Sequence, residues 1–444
     1  MLAHDDNDVV ANVPDYTQSS KPTFSMNSFF AGIGGFDIAF DRHGFNTLYQ
    51  CEINDFCNEI LQMHWPHVSK GTDIQNVSPS SIPQAEVWCG GFPCQDVSVA
   101  RGSAERKGLS GSQSGLFFAY ANLIESRKPK VVVIENVGGL FNSNDGRDFG
   151  VILQRMSEMG YSVAWRLLNS RYFGVPQSRP RVYLCCWHND AWRAMASLFE
   201  KDGAAKPGTG VRKDFITEAP GSSGYPIVPK VSYCLAATSG RHTGTDWSRT
   251  YIVCNDGVRR MTPLEYERLQ GFPDGWTRPK DNEGMSGEDV DTLRYHAIGN
   301  AVSVPVVEWI ASRIFDNLAD ESKKAFTSST PNNYIPEFKT SQWSDTPLSV
   351  IDFTDGSKKY KWPHDGIMFN DHFIGGKIQP TPHIIIDSSL INLVERHPVS
   401  RRYYLTPNAA EGILRRVDNQ GRSLFSPLRI ALEKEMEKKK GNKC

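Results

Sequence analysis

The feature that most constrains the fold is a repeated pattern in which a short apolar run ends in a glycine turn and helix-like sequence follows. Three such runs end at FFAGIGG (29–35), VWCGG (87–91) and VVVIENVGG (131–139). Continuous apolar runs are typical of strands that are buried on both faces, and strands alternating with helices imply right-handed crossovers. We therefore predict an α/β fold with a doubly wound, mostly parallel sheet, whose ligands bind at the carboxyl ends of the strands.

Composition excludes several classes of protein. The chain has 444 residues, 39% of them hydrophobic, with 49 Lys+Arg against 50 Asp+Glu. It contains no run of about 18 apolar residues, and its acidic N-terminus lacks the basic start of a secretory signal, so we expect no membrane span and no export. The nine cysteines are an odd number and form no CxxC pair. We therefore expect no disulfide framework, no metal site and a reducing, cytoplasmic setting.

Changes in composition divide the chain into six predicted segments. A flexible N-terminal segment (1–24) precedes the first part of a main domain (25–186), and residues 187–255, rich in Gly, Ser, Thr and Pro, form an inserted loop-rich domain. Residues 256–320 return to the main domain, 321–345 form a linker, and 346–444 form a C-terminal extension. We expect this extension to be separate, so that its removal leaves activity measurable.

The first candidate site is the glycine turn Phe30-Ala31-Gly32-Ile33-Gly34-Gly35 between a strand and a helix. Glycines let the backbone approach a ligand there, although Asp37 stands where the nicotinamide fingerprint needs its third glycine. Glu52 ends the next strand, at the place where a carboxylate binds a ribose diol, and Asp73 follows the third strand. A tight turn and strand-end acidic residues without a ligand remain an equal alternative for these residues.

The next two candidates also follow predicted strands. Cys94, on the Pro-stiffened loop GGFPCQ, is placed as an exposed nucleophile, whereas a buried structural cysteine is the alternative. Glu135, after VVVI, is placed to protonate a ring nitrogen of a bound heterocycle, and burial would raise its pKa toward the working range. Its alternative role is to cap the following turn.

Two arginines in QSRPRVY (177–183) form the last candidate. Pro180 holds Arg179 and Arg181 apart, so that one can bind a substrate carbonyl and the other a phosphate or carboxylate. From spacing alone, a basic surface turn is the favoured interpretation.

Six blocks follow one another in a fixed order: FAGIGG, GFPCQ, ENV, QSRPR, RRMTPLEYERLQGFP (259–273) and IGNAVSVPV (298–306). With this set, residues 25–320 resemble the cytosine carbon-5 DNA methyltransferases. The resemblance implies transfer of a methyl group from S-adenosylmethionine to carbon-5 of a flipped-out cytosine, in a specific duplex DNA sequence, through a covalent Cys94 adduct. It makes 25–186 with 256–320 the catalytic and cofactor-binding domain, and 187–255 the target recognition domain.

The resemblance also implies a role for each site residue. Cys94 is the nucleophile, Glu135 contacts and protonates the ring nitrogen, Arg181 holds the cytosine carbonyl, and Arg179 supports the pocket or a phosphate. The implied cofactor contacts are Phe30, Gly32, Gly34, Glu52, Ile53, Asp73, Pro93, Leu116, Asn300 and Val302, of which Pro93 and Leu116 are equally suited to the core. The implied DNA contacts are Arg241, His242, Thr243, Asp246 and Arg249.

Partners and alternatives follow from the same resemblance. Double-stranded DNA is the expected partner of a monomer in a bacterial or phage-infected cytoplasm, and a restriction endonuclease acting on the same site is a candidate second partner. The C-terminal sequence resembles the tails of phage or prophage members. One alternative is the tRNA-specific branch, whose Cys-Phe-Thr block is absent, Tyr233-Cys234-Leu235 being the nearest match. The other is a DNA-binding protein with an inactive site.

Overall fold

The fold is that of a computed structural model, which describes residues 24–93, 115–200, 205–206, 215–216, 226–238, 248–280, 286–320, 344–347, 359–369, 372–376, 380–396 and 398–441. The strands are β1 (Phe24–Phe29), β2 (Phe45–Cys51), β3 (Ser69–Gly71), β4 (Val87–Gly90), β5 (Val131–Val137), β6 (Tyr161–Asn169), β7 (Pro180–His188), β8 (Phe215–Ile216), β9 (Val228–Pro229), β10 (Tyr251–Cys254), β11 (Gly257–Arg260), β12 (Ser344–Pro347), β13 (Asp365–Phe369) and β14 (His372–Gly376). The helices are α1 (Gly35–Asp41), α2 (Asp55–His64), α3 (Gly115–Arg127), α4 (Arg147–Glu158), α5 (Ala191–Leu198), α6 (Pro263–Gln270), α7 (Gly287–Asn300), α8 (Val304–Ala319), α9 (Pro407–Asn419) and α10 (Ser426–Gly441).

One large sheet organises the molecule, with the strand order β12-β14-β13-β6-β7-β5-β4-β1-β2-β3. Neighbours among β1 to β5 are parallel, and β7 is antiparallel to both β5 and β6. Strands β1 to β6 therefore run in one direction with β7 against them, which confirms the predicted doubly wound, mostly parallel sheet. The chain order reverses between β1 and β4, so the carboxyl ends of these strands form the crevice in which such folds bind ligands.

Both faces of the sheet are buried, as the continuous apolar runs predict. In β5, Val131 and Val133 belong to the core on one face, while Val132 and Ile134 belong to the core on the other. Helices α1, α5 and α8 cover the first face, and α3 and α4 cover the second. Because successive strand residues point to opposite faces, each of these valines is fully enclosed. The core thus fixes the strand ends at which the candidate residues lie.

The predicted boundary of the inserted domain at residue 187 is wrong. Strand β7 continues to His188, and α5 follows it after a short turn. The buried side chains of Ala194, Met195 and Leu198 belong to the first-face core. The main domain therefore extends through about residue 200, and the loop-rich insertion begins after it.

The C-terminal extension is not separate from the main domain, contrary to expectation. Strand β13 pairs antiparallel with β6, and β14 and β12 continue the same sheet. Leu167 N donates to His364 O at 2.8 Å, and Trp165 Nε1 donates to Pro363 O at 3.1 Å. The fully buried Arg166 guanidinium also donates to the Thr381 carbonyl. Strand β13 therefore covers the sheet edge that β6 would otherwise expose.

Other parts of the extension contact residues 256–320, the return segment of the main domain. Glu395 N donates to Glu265 Oε1 at 2.8 Å, and Tyr403 OH donates to the buried Asp291 Oδ2 at 2.7 Å. Helices α9 and α10 share a small hydrophobic core with the β10–β11 hairpin. The extension is thus anchored at three separate places.

Two of the predicted segments have little described structure. The N-terminal segment lies outside the described residues up to position 23, and Phe24 already belongs to β1. The predicted linker is outside them as far as residue 343. Within the part of the chain that the structure describes, no helix is both long and apolar enough to cross a membrane.

Candidate active site

The glycine turn after β1 has the backbone conformation that its sequence predicts. Gly32 and Gly34 have φ values of 56° and 83°, and Phe30, which is not glycine, has a φ of 52°. A side chain at Gly34 would place its Cβ 2.3 Å from Trp65 Cζ3, so glycine is required there for space as well as conformation. A bulky residue with positive φ is strained, and such strain is concentrated at functional sites.

Glu52 lies across from this turn at the end of β2. Its Oε2 accepts from Gly32 N and its Oε1 accepts from Asn54 N, both at 2.8 Å. These two amides fix the carboxylate and leave it lone pairs for a further donor, such as a diol. The side chain of the adjacent Ile53 is 69% exposed. A fixed acceptor beside an exposed apolar side chain fits the ribose and base of a nucleoside.

The remaining predicted cofactor residues differ in their surroundings. Asp73 Oδ1 accepts from Gln75 N at 3.0 Å and begins a short helical turn after β3. Val302 is almost fully buried under the glycine turn, 2.6 Å from where a Cβ on Gly35 would lie. Asn300 is exposed at the end of α7, and Leu116 packs against the second-face core. Pro93 is half-buried at the end of the described loop after β4.

An aromatic contact that sequence reasoning missed joins the return segment to the glycine turn. Trp276 Nε1 donates to Ile33 O at 2.8 Å, and the Trp276 ring stacks on His64 with their centroids 3.4 Å apart. The rings of Trp276 and Trp65 also meet edge to face. Trp276 follows GFPDG in the sequence. Nothing in that local sequence indicates a contact with Ile33, which is far away along the chain.

A buried carboxyl lies directly below the turn, in α1. Asp37 is fully buried, its Oδ2 accepts from Ser28 Oγ at 3.0 Å, and its Oδ1 accepts from Gln50 Nε2 at 2.9 Å. Burial raises the pKa of Asp37 from 3.8 to about 7, and the charge of Asp41 acts in the same direction, while the two hydrogen bonds oppose the rise. The folded state therefore binds a proton more tightly here than the unfolded chain does.

This shift predicts how stability depends on pH. Because the pKa of Asp37 is higher in the folded state, its protonated carboxyl stabilises the fold fully below pH 3.8. This stabilisation is lost as the pH rises to about 7. Asp37→Asn removes this titration, so we expect the variant to lose less free energy of unfolding than the wild type between pH 5 and pH 8. The difference in slope is at most about 1.4 kcal/mol per pH unit. Urea unfolding of the wild type and of Asp37→Asn at pH 5 and pH 8 measures the loss of free energy of unfolding in each protein. An equal loss in both proteins would contradict the raised pKa of Asp37.

Glu135 and Arg181 meet at the boundary between β5 and β7. Arg181 Nε lies 3.1 Å from Glu135 Oε1, and the two side chains are 15% and 12% exposed. This ion pair is not aligned as a hydrogen bond, and among the described residues Glu135 Oε1 has no hydrogen-bond donor. Burial raises the pKa of Glu135, against the opposing charges of Arg181 and Arg179. The carboxyl therefore combines an unused acceptor with a tendency to hold a proton.

The loop that leads toward Cys94 passes over this carboxyl. A Cβ on Gly91 would lie 3.4 Å from Glu135 Oε2 and 3.3 Å from the Glu135 carbonyl oxygen. Asn136 Nδ2 donates to Phe92 O at 3.4 Å, which joins the loop to β5. The structure thus brings together the GFP sequence and Glu135, as expected from the carboxyl ends of neighbouring strands.

Arg179 is almost fully buried and serves the architecture of the site. Its guanidinium donates to the carbonyls of Leu235 at 3.0 Å, Gly299 at 3.1 Å and Ala301 at 2.8 Å. These contacts join β7 to the inserted segment and to the return segment. Of the two roles expected for Arg179, the geometry favours support of the pocket over a phosphate contact, because the Nη donors are already used.

Gln177 is a second supporting residue, which we did not predict individually. Its Nε2 donates to Leu269 O and Gln270 Oε1, and its Oε1 accepts from Leu235 N, all at 3.0 Å. Gln177 is completely buried. The signal in the sequence is its place in the QSRPR block, and its amide joins two other segments, α6 and the chain at Leu235.

Cys94 and four of the expected DNA contacts, Arg241, His242, Thr243 and Asp246, lie outside the described residues. Arg249 is half-buried and its Nη2 donates to Thr238 O at 3.0 Å.

Comparison with known proteins gives consistent matches. The family model for C-5 cytosine-specific DNA methylases matches residues 24–215 and 230–316. The chain is 30% identical over 370 residues to the Type II methyltransferase M2.BsuMI of Bacillus subtilis, covering 76% of this chain and 83% of that protein. It is 29% identical over 320 residues to M.HhaI of Haemophilus parahaemolyticus, covering 65% and 93%. The solved structure of the Entamoeba histolytica methyltransferase EhMeth is similar with a TM-score of 0.49 and 18% identity, covering 68% of this chain and 100% of that one.

Proposed function

The chain belongs to the C-5 cytosine-specific DNA methylases, and from this we propose that Cys94, Glu135 and Arg181 carry its reaction. The enzyme transfers a methyl group from S-adenosylmethionine to carbon-5 of cytosine in double-stranded DNA. The family mechanism flips the base out of the duplex and forms a covalent cysteine adduct.

The nucleophile is needed because carbon-5 of an aromatic cytosine is itself a poor nucleophile. The Cys94 thiolate adds to carbon-6, which interrupts the aromatic system and makes carbon-5 enamine-like. Carbon-5 then takes the methyl group. A base, which we assign to water, removes the carbon-5 proton, and the electrons of that bond restore the carbon-5–carbon-6 double bond as the thiolate leaves. One difficult step is thereby divided into easier ones.

The Glu135 carboxyl is the observation that carries this proposal. It is buried, its pKa is raised, its Oε1 accepts no hydrogen bond from the described residues, and it lies beside Arg181. A protonated carboxyl here donates to the ring nitrogen next to the amino-bearing carbon, and so stabilises the electrons that thiolate addition moves into the ring. The Arg181 guanidinium holds the carbonyl oxygen of the same base. Phe92, two residues before Cys94, is joined to β5 by Asn136.

The cofactor would be held at the carboxyl ends of β1 and β2. S-adenosylmethionine supplies the methyl group when bound. The Glu52 carboxylate, fixed by the amides of Gly32 and Asn54, would accept from the ribose hydroxyls, and the exposed Ile53 would cover the adenine. The strained Phe30 offers an aromatic face, and the glycine turn lets the chain approach closely. Gly34, Asp73, Pro93, Leu116, Asn300 and Val302 complete the proposed set.

The inserted segment would read the DNA sequence. We assign target recognition to the residues between α5 and β10, with Arg241, His242, Thr243, Asp246 and Arg249 as candidate contacts to base edges or phosphates. The cost of extruding the target base, a few kcal/mol in such enzymes, must be offset by contacts of this kind.

The wider setting is part of the same proposal. The matched relatives are named Type II methyltransferases, which supports a role in restriction–modification and a partner endonuclease acting on the same site. We further propose that the enzyme acts as a monomer in the cytoplasm of a bacterial or phage-infected cell.

Replacing Glu135 by glutamine tests the role of the carboxyl. We expect turnover to fall by roughly 10²–10⁴-fold, the usual contribution of a general acid, with cofactor binding almost unchanged. Methyl transfer from labelled cofactor and equilibrium binding of the cofactor measure the two effects. Glu125→Gln, at a surface ion pair with Arg155, is the matched control and should retain wild-type turnover. A Glu135→Gln enzyme of full activity would remove this residue from the mechanism.

The substrate class is tested by incubating the enzyme with S-adenosylmethionine and either unmethylated plasmid or tRNA. We expect 5-methylcytosine, detected by mass spectrometry, in the plasmid, and bisulfite sequencing then identifies the recognition sequence. Product in tRNA alone would move the enzyme to the RNA-specific branch. No product in either would favour a DNA-binding protein with an inactive site.

A further inference from the structure

We propose that Cys234 is a positioning residue whose sulfur orients Arg181 toward the substrate and connects the inserted segment to the catalytic cluster. This inference rests on the proposed role of Arg181 as a ligand of the base. The catalytic cluster is defined here as Glu135, Arg179, Arg181 and Cys234. The mechanism above does not use Cys234.

The Cys234 sulfur faces both arginines of the cluster. Arg179 Nη1 lies 3.7 Å and Arg181 Nη2 lies 3.8 Å from Cys234 Sγ, both as hydrogen bonds to sulfur. Five other cysteines of the described chain are buried, whereas Cys234 is only partly so. Two guanidinium groups converging on one sulfur form a site that favours an anion.

Arg181 depends on this sulfur more than Arg179 does. Arg179 is fixed by three backbone carbonyls from two other segments. The Arg181 head donates to the carbonyl of its own neighbour, Pro180, at 2.8 Å, and its two polar side-chain partners among the described residues are Glu135 and Cys234. If Glu135 is protonated for catalysis, its attraction for Arg181 weakens. The Cys234 sulfur is then the remaining side-chain acceptor that keeps the guanidinium in place.

The segment that carries Cys234 is held rigidly against the main domain. Leu235 N donates to Gln177 Oε1 and Leu235 O accepts from Arg179. The backbone at Ala236 and Ala237 presses on Gly299, where a Cβ would lie 2.6 Å from both residues. A displacement of the inserted segment would therefore move the sulfur relative to Arg181. Through this contact, DNA bound by the inserted segment can change the position of Arg181, the arginine that binds the base.

The charges around the sulfur favour its thiolate form. Burial opposes ionisation, but Arg181 and Arg179 outweigh it and lower the pKa of Cys234. Glu135 within the cluster and Tyr183 beside it are the other titratable groups that act on Arg181. An ionised sulfur is a stronger acceptor for a guanidinium than a thiol is.

The ionisation of Cys234 can be measured without relying on activity. Thiolates absorb near 240 nm, so the difference in absorbance between Cys94→Ser and Cys94→Ser/Cys234→Ser, followed from pH 5 to pH 10, reports the titration of Cys234. We expect a midpoint below the ordinary thiol range of about 8.5. Adding Arg181→Gln to both proteins should move the midpoint upward. A midpoint that does not respond to Arg181→Gln would overturn the proposed contact.

Activity measurements test the positioning role. We expect Cys234→Ala to lower kcat by about tenfold, the size typical of a lost charge-assisted contact, with KM for S-adenosylmethionine unchanged. Cys234→Ser keeps an acceptor and should recover part of the rate. Cys254→Ala, at a half-buried cysteine outside the cluster, is the control. Wild-type kcat in Cys234→Ala would refute the positioning role, whereas full activity in Arg181→Gln would instead refute the proposed function of Arg181.

Discussion

Deleting residues 346–444 should yield a chain that does not reach the native fold. The deletion removes β13, which pairs with β6, and leaves Val163 and Trp165 at an unprotected sheet edge. It also removes the Thr381 carbonyl from the buried Arg166 guanidinium and the Glu395 amide from Glu265. A buried guanidinium group that loses one of its acceptors and an exposed apolar sheet edge are both destabilising. Circular dichroism and analytical gel filtration of the truncated chain measure the outcome.

A pair of point substitutions separates loss of this strand from the general effect of a large deletion. Ile367, on β13, is 1% exposed, and Ile384 is 74% exposed. We expect Ile367→Asp to lower the free energy of unfolding by several kcal/mol, because it buries a charge without a partner. Ile384→Asp should change it by less than about 0.5 kcal/mol. A truncated protein that unfolds cooperatively and methylates DNA would show that the extension is dispensable.

Replacing Cys94 by serine should lower methylation by at least about 10³-fold, because a serine hydroxyl ionises far less readily than a thiol and is a much weaker nucleophile. DNA binding should persist, since the DNA contacts assigned to the inserted segment do not involve this sulfur. Methyl transfer from labelled S-adenosylmethionine and fluorescence anisotropy with labelled duplex measure the two properties.

Cys254→Ser provides the control for this substitution, and it should leave both properties near their wild-type values. Methylation by Cys94→Ser at more than about a tenth of the wild-type rate would exclude Cys94 as the nucleophile. Loss of DNA binding together with methylation would instead point to misfolding.

The parts of the site that could be predicted from sequence are those fixed by the ends of parallel strands. The glycine turn, Glu52, Gly91 and Glu135 all follow short apolar runs, and such ends must meet at one edge of a doubly wound sheet. The ordered blocks then distinguished these residues from ordinary turns.

The remaining features depend on contacts between residues far apart in sequence. Nothing local to residues 365–369 indicates pairing with β6, because an antiparallel edge strand has the same pattern wherever it docks. The sequence around Cys234 does not indicate its closeness to Arg181, which arises from the position of the inserted segment. Helix α5 was assigned to the insertion because its sequence does not reveal which core it joins.

Trapping the covalent intermediate tests the central claim most directly. DNA synthesised with 5-fluorocytosine in place of cytosine, incubated with the enzyme and S-adenosylmethionine, should form a stable complex, because after methyl transfer carbon-5 carries fluorine and has no proton to lose. Proteolysis and mass spectrometry then identify the attached residue, with no need to know the recognition sequence. We predict a cofactor-dependent adduct at Cys94. An adduct at Cys234 or another cysteine, or a complex with fluorinated RNA and none with DNA, would contradict this mechanism.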